Sequence, residues 1–285
     1  MAAAPHRWEL SETWIEWKAH TESLRTALAA HHDHLYSSAA SASCASTAST
    51  AHSAGDGGHD KTSAAAASKA HITELLRRCL DLYKESLHLN SNDSALSSMA
   101  GHQHSPLEVA FLWLGGWRPT SAITLIYSTL GLHESQRTLF DHTPLLGACL
   151  NQQELLLSIN AALLDNRLSS SHTLPNCISD CELVAVESLR RKTLDIELYL
   201  SHELASFQML LLDHAMLEAF TRDMNVGRGS ELVEVKVSQL THLLAEANQL
   251  RMDTLERLVD VLDPVNSALC CVSAFELINA LKSLN

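Results

Sequence analysis

The side chains best suited to chemistry are the 17 histidines and 7 cysteines of the chain. Two short histidine clusters stand out, His31-His32-Asp33-His34 and His102-Gln103-His104. Imidazole nitrogens bind transition metals, and His31 and His34 would share one face of a helix. Histidines on helix surfaces and in polar loops are more often solvated than bound to a metal. We therefore interpret His31 and His34 as unliganded, with His31 on the apolar stripe of the first predicted helix, and His102 and His104 as solvated. A metal site is kept as the alternative.

A second possible metal site combines Cys177 and Cys181 with the nearby His172. Structural zinc sites usually need a second ligand pair close by, and none follows here, so we predict no zinc site. Cys270 and Cys271 are adjacent on a predicted helix and point in different directions, which is typical of thiols in or beside a core. An odd number of cysteines without a disulfide framework indicates a reducing compartment.

Motifs of common enzyme classes are missing from the sequence. His202-Glu203 is not a zinc-protease motif, because position 206 is serine rather than histidine. Gly227-Arg228-Gly229 is a predicted turn, and the chain has no Gly-x-Ser-x-Gly, Walker or Gly-x-Gly-x-x-Gly sequence. No Ser-His-Asp or Cys-His set can be assigned. We predict that the protein is not an enzyme and holds no cofactor.

Composition favours helices over sheets. Apolar residues make up 46% of the 285 positions, with only 10 glycines and 6 prolines, whereas sandwiches and barrels need frequent turns. The net charge of −13 would repel DNA phosphates, and the basic cluster Arg190-Arg191-Lys192 is interpreted as a solvated helix face. No secretory signal and no apolar run of about 18 residues are visible. We expect no membrane span and a nuclear or cytoplasmic location.

Apolar residues recur every three or four positions over much of the chain, which predicts amphipathic helices. The first runs over about residues 8–36 and carries Trp14 and Trp17 on its apolar stripe. Residues 37–68 are rich in serine and alanine, and we interpret them as a flexible insertion that cannot offset its chain entropy. Helix is predicted again over about 65–89.

The sharpest local pattern lies at residues 105–120. Ser105-Pro106-Leu107-Glu108 is a capping box with proline at the first helical position. Gly115-Gly116 should end that helix, because glycine tolerates the left-handed cap conformation, and Pro119 should begin the next. The pattern predicts a helix, a tight Gly-Gly elbow and a second helix. Beside or within this elbow lie Trp113, Trp117 and Arg118.

Long helices are predicted for the rest of the chain. A second capping box, Ser179 to Glu182, should open a helix that continues to about Met224. Another covers about residues 231–262, and Pro264 begins the last. The leucine-rich residues 132–177 are predicted to be helical in part. The expected fold is all-α, a bundle of long antiparallel helices with a helix-Gly-Gly-helix elbow.

Three stretches of this sequence resemble the DOG (Delay of Germination) domain of plant seed-dormancy regulators and TGA-class bZIP transcription factors. The most specific is residues 105–120, SPLEVAFLWLGGWRPT, which matches the family's Ser-Pro-Leu-Glu, Trp and Gly-Gly-Trp-Arg-Pro pattern almost position for position. Trp14-Ile15-Glu16-Trp17 is similar to the family's opening aromatic-x-x-Trp, and residues 245–265 to its closing helix. TGA members carry a basic region and leucine zipper first. Only Met1 to Arg7 precede the first helix here, so the chain resembles a stand-alone DOG-like protein.

This resemblance implies a non-enzymatic regulatory domain that binds other proteins in transcription regulation or in seed dormancy and abscisic-acid signalling. Type 2C protein phosphatases or bZIP factors are the implied partners, and a homo-oligomer is left open. The alternatives are a heme- or metal-binding sensor and a sequence-specific DNA-binding regulator. Family heme binding depends on histidines in the last helix, where this chain has Ile278 and Lys282 and no histidine after His242, so we do not carry it over.

The resemblance and the elbow pattern together select eight candidate residues for partner contact or for the elbow itself. For Trp117 and Arg118 an architectural role is favoured over partner contact, and the tryptophans of the first helix are likewise assigned to the core. The predicted organisation is an N-terminal helix (1–36), the insertion (37–68) and the remainder of the helical domain (69–285). The candidates are Trp113, Gly115, Gly116, Trp117, Arg118, Pro119, Trp14 and Trp17.

Overall fold

The computed structural model describes residues 12–45, 58–89, 106–130, 178–226 and 231–283. Within these ranges the fold is all-α, as predicted, apart from one small antiparallel hairpin. In chain order the elements are α1 (Glu12–Ala45), α2 (Gly58–Leu89), α3 (Pro106–Ala110), β1 (Leu112–Trp113), β2 (Gly116–Trp117), α4 (Pro119–Thr129), α5 (Asp180–Leu211), α6 (His214–Val226), α7 (Glu231–Val261) and α8 (Pro264–Ser283).

Helix α8 lies at the centre of the bundle and contacts α1, α2, α3, α4 and α7. Its buried side chains point in several directions. Ala268 and Val272 pack with α1 and α2, Cys270 packs with α4, α5 and α7, and Leu277 and Leu281 pack beside α4 and the start of the hairpin. A helix that is apolar on most of its faces has no solvent-facing stripe and must be surrounded by other helices.

Helix α8 is also long and hydrophobic enough to meet the criteria for a helix that crosses a membrane. Residues Pro264–Lys282 have a mean hydropathy of 1.3, and half of this stretch is buried inside the bundle. Asn266, Ser273 and Glu276 interrupt the run, which is why the sequence shows no unbroken apolar segment. Its position among the other helices accounts for this composition, because a central core helix meets the same length and hydropathy criteria.

The long helices pair antiparallel. Along the α1–α2 pair, Trp17 lies beside Tyr83, whereas His31 near the other end of the interface has its Nδ1 atom 3.2 Å from Ser68 Oγ. Helices α5 and α7 pair in the same antiparallel way. His31 is only 3% exposed, in agreement with its place on the apolar stripe of the first helix. The other histidine cluster, at 102–104, and Cys177 lie outside the described residues.

Both helices next to the Ser/Ala-rich segment extend into it. Helix α1 continues to Ala45 instead of ending near residue 36, and α2 begins at Gly58 instead of near residue 65. Residues 37–45 and 58–64 are therefore helical, not flexible as predicted. Alanine has the highest helix propensity, so a helix started by its neighbours propagates into an alanine-rich sequence at little cost. Residues 46–57 lie outside the described residues.

The single helix predicted from residue 180 to about 224 is two helices. α5 ends at Leu211, and Asp213 begins α6 by accepting a hydrogen bond from the His214 amide to its Oδ1 at 2.8 Å. The Asp213 carbonyl then accepts from the Leu217 amide at 3.0 Å. Aspartate is a favoured N-cap residue, and the apolar periodicity that runs through the break concealed it.

The capping box at the start of α5 is confirmed. Ser179 Oγ accepts from the Glu182 amide at 3.2 Å, and Glu182 Oε2 accepts from the Ser179 amide at 2.8 Å. Glu182 Oε1 also accepts from the Asp263 amide at 2.7 Å. One carboxylate thus holds the start of α5 against the junction between α7 and α8. Ser105 of the other box lies outside the described residues.

Replacing the cap should weaken the fold. Ser179→Ala removes the side-chain acceptor and should lower the free energy of unfolding by about 1 kcal/mol, measured by urea unfolding followed by circular dichroism. Ser188→Ala, at an exposed serine of the same helix, is the control and should cost less than about 0.5 kcal/mol. Equal losses in the two variants would contradict a stabilising role for the cap.

Candidate functional site

The predicted elbow is a β-hairpin between α3 and α4, and each of its two strands has two residues. Helix α3 ends at Ala110, and β1 pairs antiparallel with β2. Between the strands, Leu114 has φ of 47° and Gly115 has φ of 75°. Two successive positive φ values are typical of a type I′ turn, which matches the twist of short antiparallel strands. The prediction that a helix runs up to the glycine pair was therefore wrong.

Leu114 is the residue that sequence patterns could not place. A left-handed conformation costs a residue with a Cβ atom roughly 1–2 kcal/mol, so a leucine is rarely predicted there. Its side chain is buried in a cluster with Leu200, Leu244 and Leu250. Burying a leucine side chain contributes about 1.5–3 kcal/mol, which is enough to offset the backbone cost.

Arg251 of α7 binds the hairpin through its guanidinium group. Nε donates to the Trp117 carbonyl at 2.7 Å, and Nη2 donates to the Leu114 carbonyl at 3.1 Å and to the Trp113 carbonyl. Nη1 donates to Asn248 Oδ1 at 2.5 Å. Arg251 is only 2% exposed, so these bonds are made in a low-dielectric environment, where each contributes more than it would in water.

The two glycines of the turn are needed for different reasons. Gly115 supplies the left-handed conformation. Gly116 supplies space, since a Cβ atom added there would lie 2.9 Å from Arg251 Cζ and 3.0 Å from its Nε. The Gly-Gly pair therefore lets the guanidinium reach the hairpin carbonyls, which is a different role from the helix-ending role predicted for it.

Trp113 is buried between two cations. The guanidinium carbons of Arg118 and Arg251 each lie 5.6 Å from its ring centroid, within the range of cation–π attraction. Its Nε1 donates to Ser201 Oγ at 2.9 Å, and that hydroxyl donates to the Glu197 carbonyl at 2.7 Å. Trp113 therefore connects the hairpin to α5 as well as to α7.

Glu197 of α5 carries a fully buried carboxylate that contacts the start of α4. It accepts from the Thr120 amide at 2.7 Å and from Thr120 Oγ1 at 3.0 Å, and Arg118 Nη1 lies 3.6 Å from Oε2. Burial raises the pKa of Glu197, against the opposing effects of the Thr120 hydrogen bonds and the Arg118 charge. Burial likewise lowers the pKa of Arg251, opposed by Tyr83 and Glu197.

The remaining predicted elbow residues lie at the same corner. Trp117 is half-buried and stacks on Phe111, with ring centroids 5.3 Å apart and planes 4° apart. Pro119 is buried and stands at the first position of α4, where its missing amide donor costs nothing. The structure thus brings together all six predicted elbow residues, and their side chains mainly contact other parts of the chain.

The tryptophans of α1 form a second aromatic cluster. Trp14 stacks on Phe275 of α8 at 4.9 Å, and Trp17 meets the same ring edge-on at 5.5 Å. Lys282 Nζ lies 5.3 Å from the Trp14 ring centroid and 3.7 Å from Glu108 Oε1. These contacts agree with the core assignment of the two tryptophans.

Sequence reasoning missed four polar residues of the corner, Glu197, Arg251, Thr120 and Ser201. One signal was available for the two charged residues. Glu197 and Arg251 each interrupt an apolar helical stripe, and a charge at such a position needs a buried partner. Sequence does not show which residue is the partner, because the partner is distant in the chain. Trp117, for example, lies 134 residues before Arg251.

The corner binds its own chain rather than presenting free reactive groups. The described donors of Arg251 point at carbonyls and an amide oxygen, and the described oxygens of Glu197 accept from α4. Across the described ranges, no group of three or more histidine, cysteine, aspartate or glutamate side chains could hold a metal ion. The geometry is that of a structural joint between the hairpin, α4, α5 and α7.

Filling the space at Gly116 should destabilise the domain. Gly116→Ala should lower the unfolding free energy by about 1–3 kcal/mol, because its Cβ would displace the Arg251 guanidinium. Arg251→Lys, which removes the crowding atoms, is the partner in a double-mutant cycle measured by urea unfolding. The combined loss should be smaller than the sum of the single losses. Strictly additive losses would show that Gly116 does not act through Arg251.

Glu197 should make stability depend on pH. Because its folded-state pKa lies above the ordinary 4.5, its contribution is fully present below that value and is lost as pH rises through the folded-state pKa. The stability of wild type relative to Glu197→Gln should therefore fall as pH rises above about 4.5.

Glu187 provides a control, because its contribution to stability should change with pH in the opposite direction. Burial alone would raise its pKa, but hydrogen bonds from Arg190, Arg191 and Tyr127 hold it below 4.5. Wild type relative to Glu187→Gln should lose stability as pH falls below that value. Chemical unfolding across the pH range measures both differences, and the same slope for the two variants would contradict this assignment.

Comparison with known proteins shows which proteins this chain is similar to. A protein-family model described as "Seed dormancy control" matches residues 58–128, which include α2, α3, the hairpin and all but the last residue of α4. Protein DOG1-like 3 of Arabidopsis thaliana is 28% identical over 186 residues, 62% of this chain and 58% of the relative. Protein DOG1-like 1 of the same plant is 29% identical over 171 residues, 57% of each chain.

These matches cover less than two thirds of the length of the relatives. They agree with the resemblance carried by residues 105–120 and with the all-α architecture, and the Gly-Gly hairpin lies inside the matched range. No enzymatic activity is named in these descriptions. Residues 58–128 thus match the seed-dormancy control family, and the chain is similar to DOG1-like proteins of Arabidopsis thaliana.

Proposed function

We propose that this chain is a non-enzymatic regulatory protein that acts by protein–protein contacts in transcription regulation or in seed dormancy and abscisic-acid signalling. Similarity to the seed-dormancy control family supports the biological setting. An exposed apolar stripe on α5 supports the mode of action, and it is the observation on which the proposal mainly rests. The hairpin corner supports it less, since most of its side chains are turned toward the chain's own helices.

The docking stripe consists of Leu198, His202, Ala205, Met209 and Leu212. These exposed residues follow one another at spacings of four, three, four and three positions, so they form one line along α5 that ends at its C-cap residue, Leu212. Leu198, Met209 and Leu212 are its large apolar members. Met209 is 71% exposed and Leu212 is 79% exposed. Large apolar side chains aligned at heptad-like spacing are typical of a surface that packs against another helix.

Charge around the docking stripe indicates the chemistry of that partner helix. From Thr193 to Asp213 the sequence contains no lysine or arginine, and Asp195, Glu203 and Asp213 lie within the same segment. Lys236 of α7 lies over the ring of Phe207, which is on the buried side of α5. A partner that complements this face would carry an apolar stripe flanked by basic residues.

The occupant proposed for the docking stripe is therefore a basic amphipathic helix of a partner protein. Among the partner classes implied by the family resemblance are bZIP factors and type 2C protein phosphatases. A bZIP factor fits the charge argument directly, because its basic region is a helix rich in lysine and arginine. The same argument disfavours direct binding of DNA phosphates to this face.

The double variant Met209→Lys/Leu212→Lys tests the docking stripe. It removes two apolar contacts and adds like charge against a basic partner, so the affinity should fall at least about tenfold, which corresponds to about 1.4 kcal/mol. Partners recovered by pull-down from plant extract are identified by mass spectrometry. Each is then purified and titrated against wild type and variant by isothermal calorimetry.

Ile15→Lys is the matched control, since Ile15 is a large exposed apolar residue on a different helix. It should leave the affinity unchanged, and both variants should melt at the wild-type temperature. The proposal fails if the purified partners bind the docking-stripe variant as tightly as wild type. It also fails if only the Ile15 variant loses binding, because the contact surface would then be α1.

A further inference from the structure

A mostly apolar cavity of about 190 Å³ lies between α2, α4, α7 and α8. Aliphatic side chains form much of its wall, among them Leu76 of α2, Ile126 of α4 and Leu258 of α7. Apolar cavities in proteins bind small apolar molecules, and one of about 150 Å³ holds benzene. By that comparison, this cavity has room for a guest of about six to eight non-hydrogen atoms.

The cavity is elongated and reaches the protein surface. Arg251 and Leu262 both line it, although they lie about three helical turns apart on α7, so it extends for roughly 16 Å. Leu80 of α2 and Val259 of α7 also line it and are only partly buried, which gives a route to solvent between these two helices. This shape fits an extended chain better than a compact ring.

Ser267 supplies a polar group that is available to a guest in the cavity. Ser267 of α8 lines the wall, is 5% exposed, and has no hydrogen-bond partner for its Oγ within the described residues. A buried hydroxyl without a partner is unfavourable, so it is a ready donor to an acceptor atom that enters the cavity. The guest that fits this wall has a carbon chain and one oxygen acceptor.

Two thiols meet at the same wall. Cys79 of α2 and Cys271 of α8 pack together in one buried cluster and both line the cavity. A hydrogen bond from the Cys271 thiol lowers the pKa of Cys79, against the opposing effect of burial. Burial raises the pKa of the neighbouring Cys270 to about 12, which keeps that thiol protonated. Cys79 is therefore the cavity thiol best able to act as a nucleophile.

We propose that this cavity binds a short-chain α,β-unsaturated aldehyde and that the Sγ atom of Cys79 adds to its β-carbon. The site is separate from the docking stripe on α5, so the proposal is independent of the proposed function. A six-carbon 2-alkenal has seven non-hydrogen atoms, an apolar tail and one carbonyl oxygen, which together match the volume, the wall and the Ser267 hydroxyl.

The chemical step is a conjugate addition that needs no oxidant or reductant. The Cys79 thiolate forms the new S–C bond, and the π electrons of the C=C bond move onto the carbonyl oxygen to give an enolate. Ser267 Oγ can donate a hydrogen bond to this oxygen. The α-carbon then takes up one proton, equal to the one the thiol lost, and the product is a saturated aldehyde linked to sulfur.

The probe is trans-2-hexenal, added to the full-length folded protein. Borohydride reduction fixes the adduct, and peptide mass spectrometry measures the labelling rate of each cysteine. Cys79 should be labelled several-fold faster than the exposed Cys181, although it is far more buried. The non-reactive alcohol 1-hexanol should slow labelling of Cys79 only, and unfolding in urea should abolish the preference.

Two substitutions of the partner thiol separate its chemistry from its packing. Cys271→Ala removes the hydrogen-bond donor and should slow labelling of Cys79, whereas Cys271→Ser keeps a donor and should retain most of the rate. The proposal is overturned if Cys181 is labelled faster than Cys79 in the folded protein. It is also overturned if 1-hexanol does not protect Cys79, because the aldehyde would then not be held in the cavity.

Discussion

The architecture depends on the hydrogen bonds between the buried Arg251 guanidinium and the β1–β2 hairpin. Arg251 has almost no contact with solvent, and its guanidinium donates to three carbonyls of a hairpin that interrupts an otherwise helical chain. A hairpin of two-residue strands is not stable alone, and its turn residues lie in a costly backbone conformation. The buried guanidinium satisfies carbonyls that would otherwise be desolvated, and Gly116 allows it to approach.

The same corner connects helices that are distant in sequence. Trp113 reaches α5 through Ser201, Glu197 holds the start of α4, and Arg251 comes from α7. Two buried charged groups, the half-buried Ser201 hydroxyl and one aromatic ring thus fix the relative positions of three helices. Polar bonds of this kind are directional, unlike the packing of leucines, so they select one arrangement of the bundle among several of similar apolar burial.

The contacts that stabilise this bundle and the surface proposed for recognition lie on different parts of it. Tryptophan and arginine are common at protein interfaces, yet here Trp113, Arg118 and Arg251 pack against the chain's own hairpin and helices. The exposed apolar residues are instead aliphatic ones concentrated along α5 and its C-terminal end. Partner docking on that face would leave the corner and the central helix α8 undisturbed, and the cavity between α2 and α7 would stay open for a small molecule.

Sequence alone determined the helical class, the long helices, the cap at Ser179 and the family pattern at 105–120. All of these depend on local spacing, which residue order records directly. The tertiary structure decided the hairpin, because a buried Leu114 at positive φ is stable only once α5 and α7 surround it. It also decided the partners of Glu197 and Arg251, since a buried charge in the sequence indicates that a partner is needed but not which distant residue supplies it.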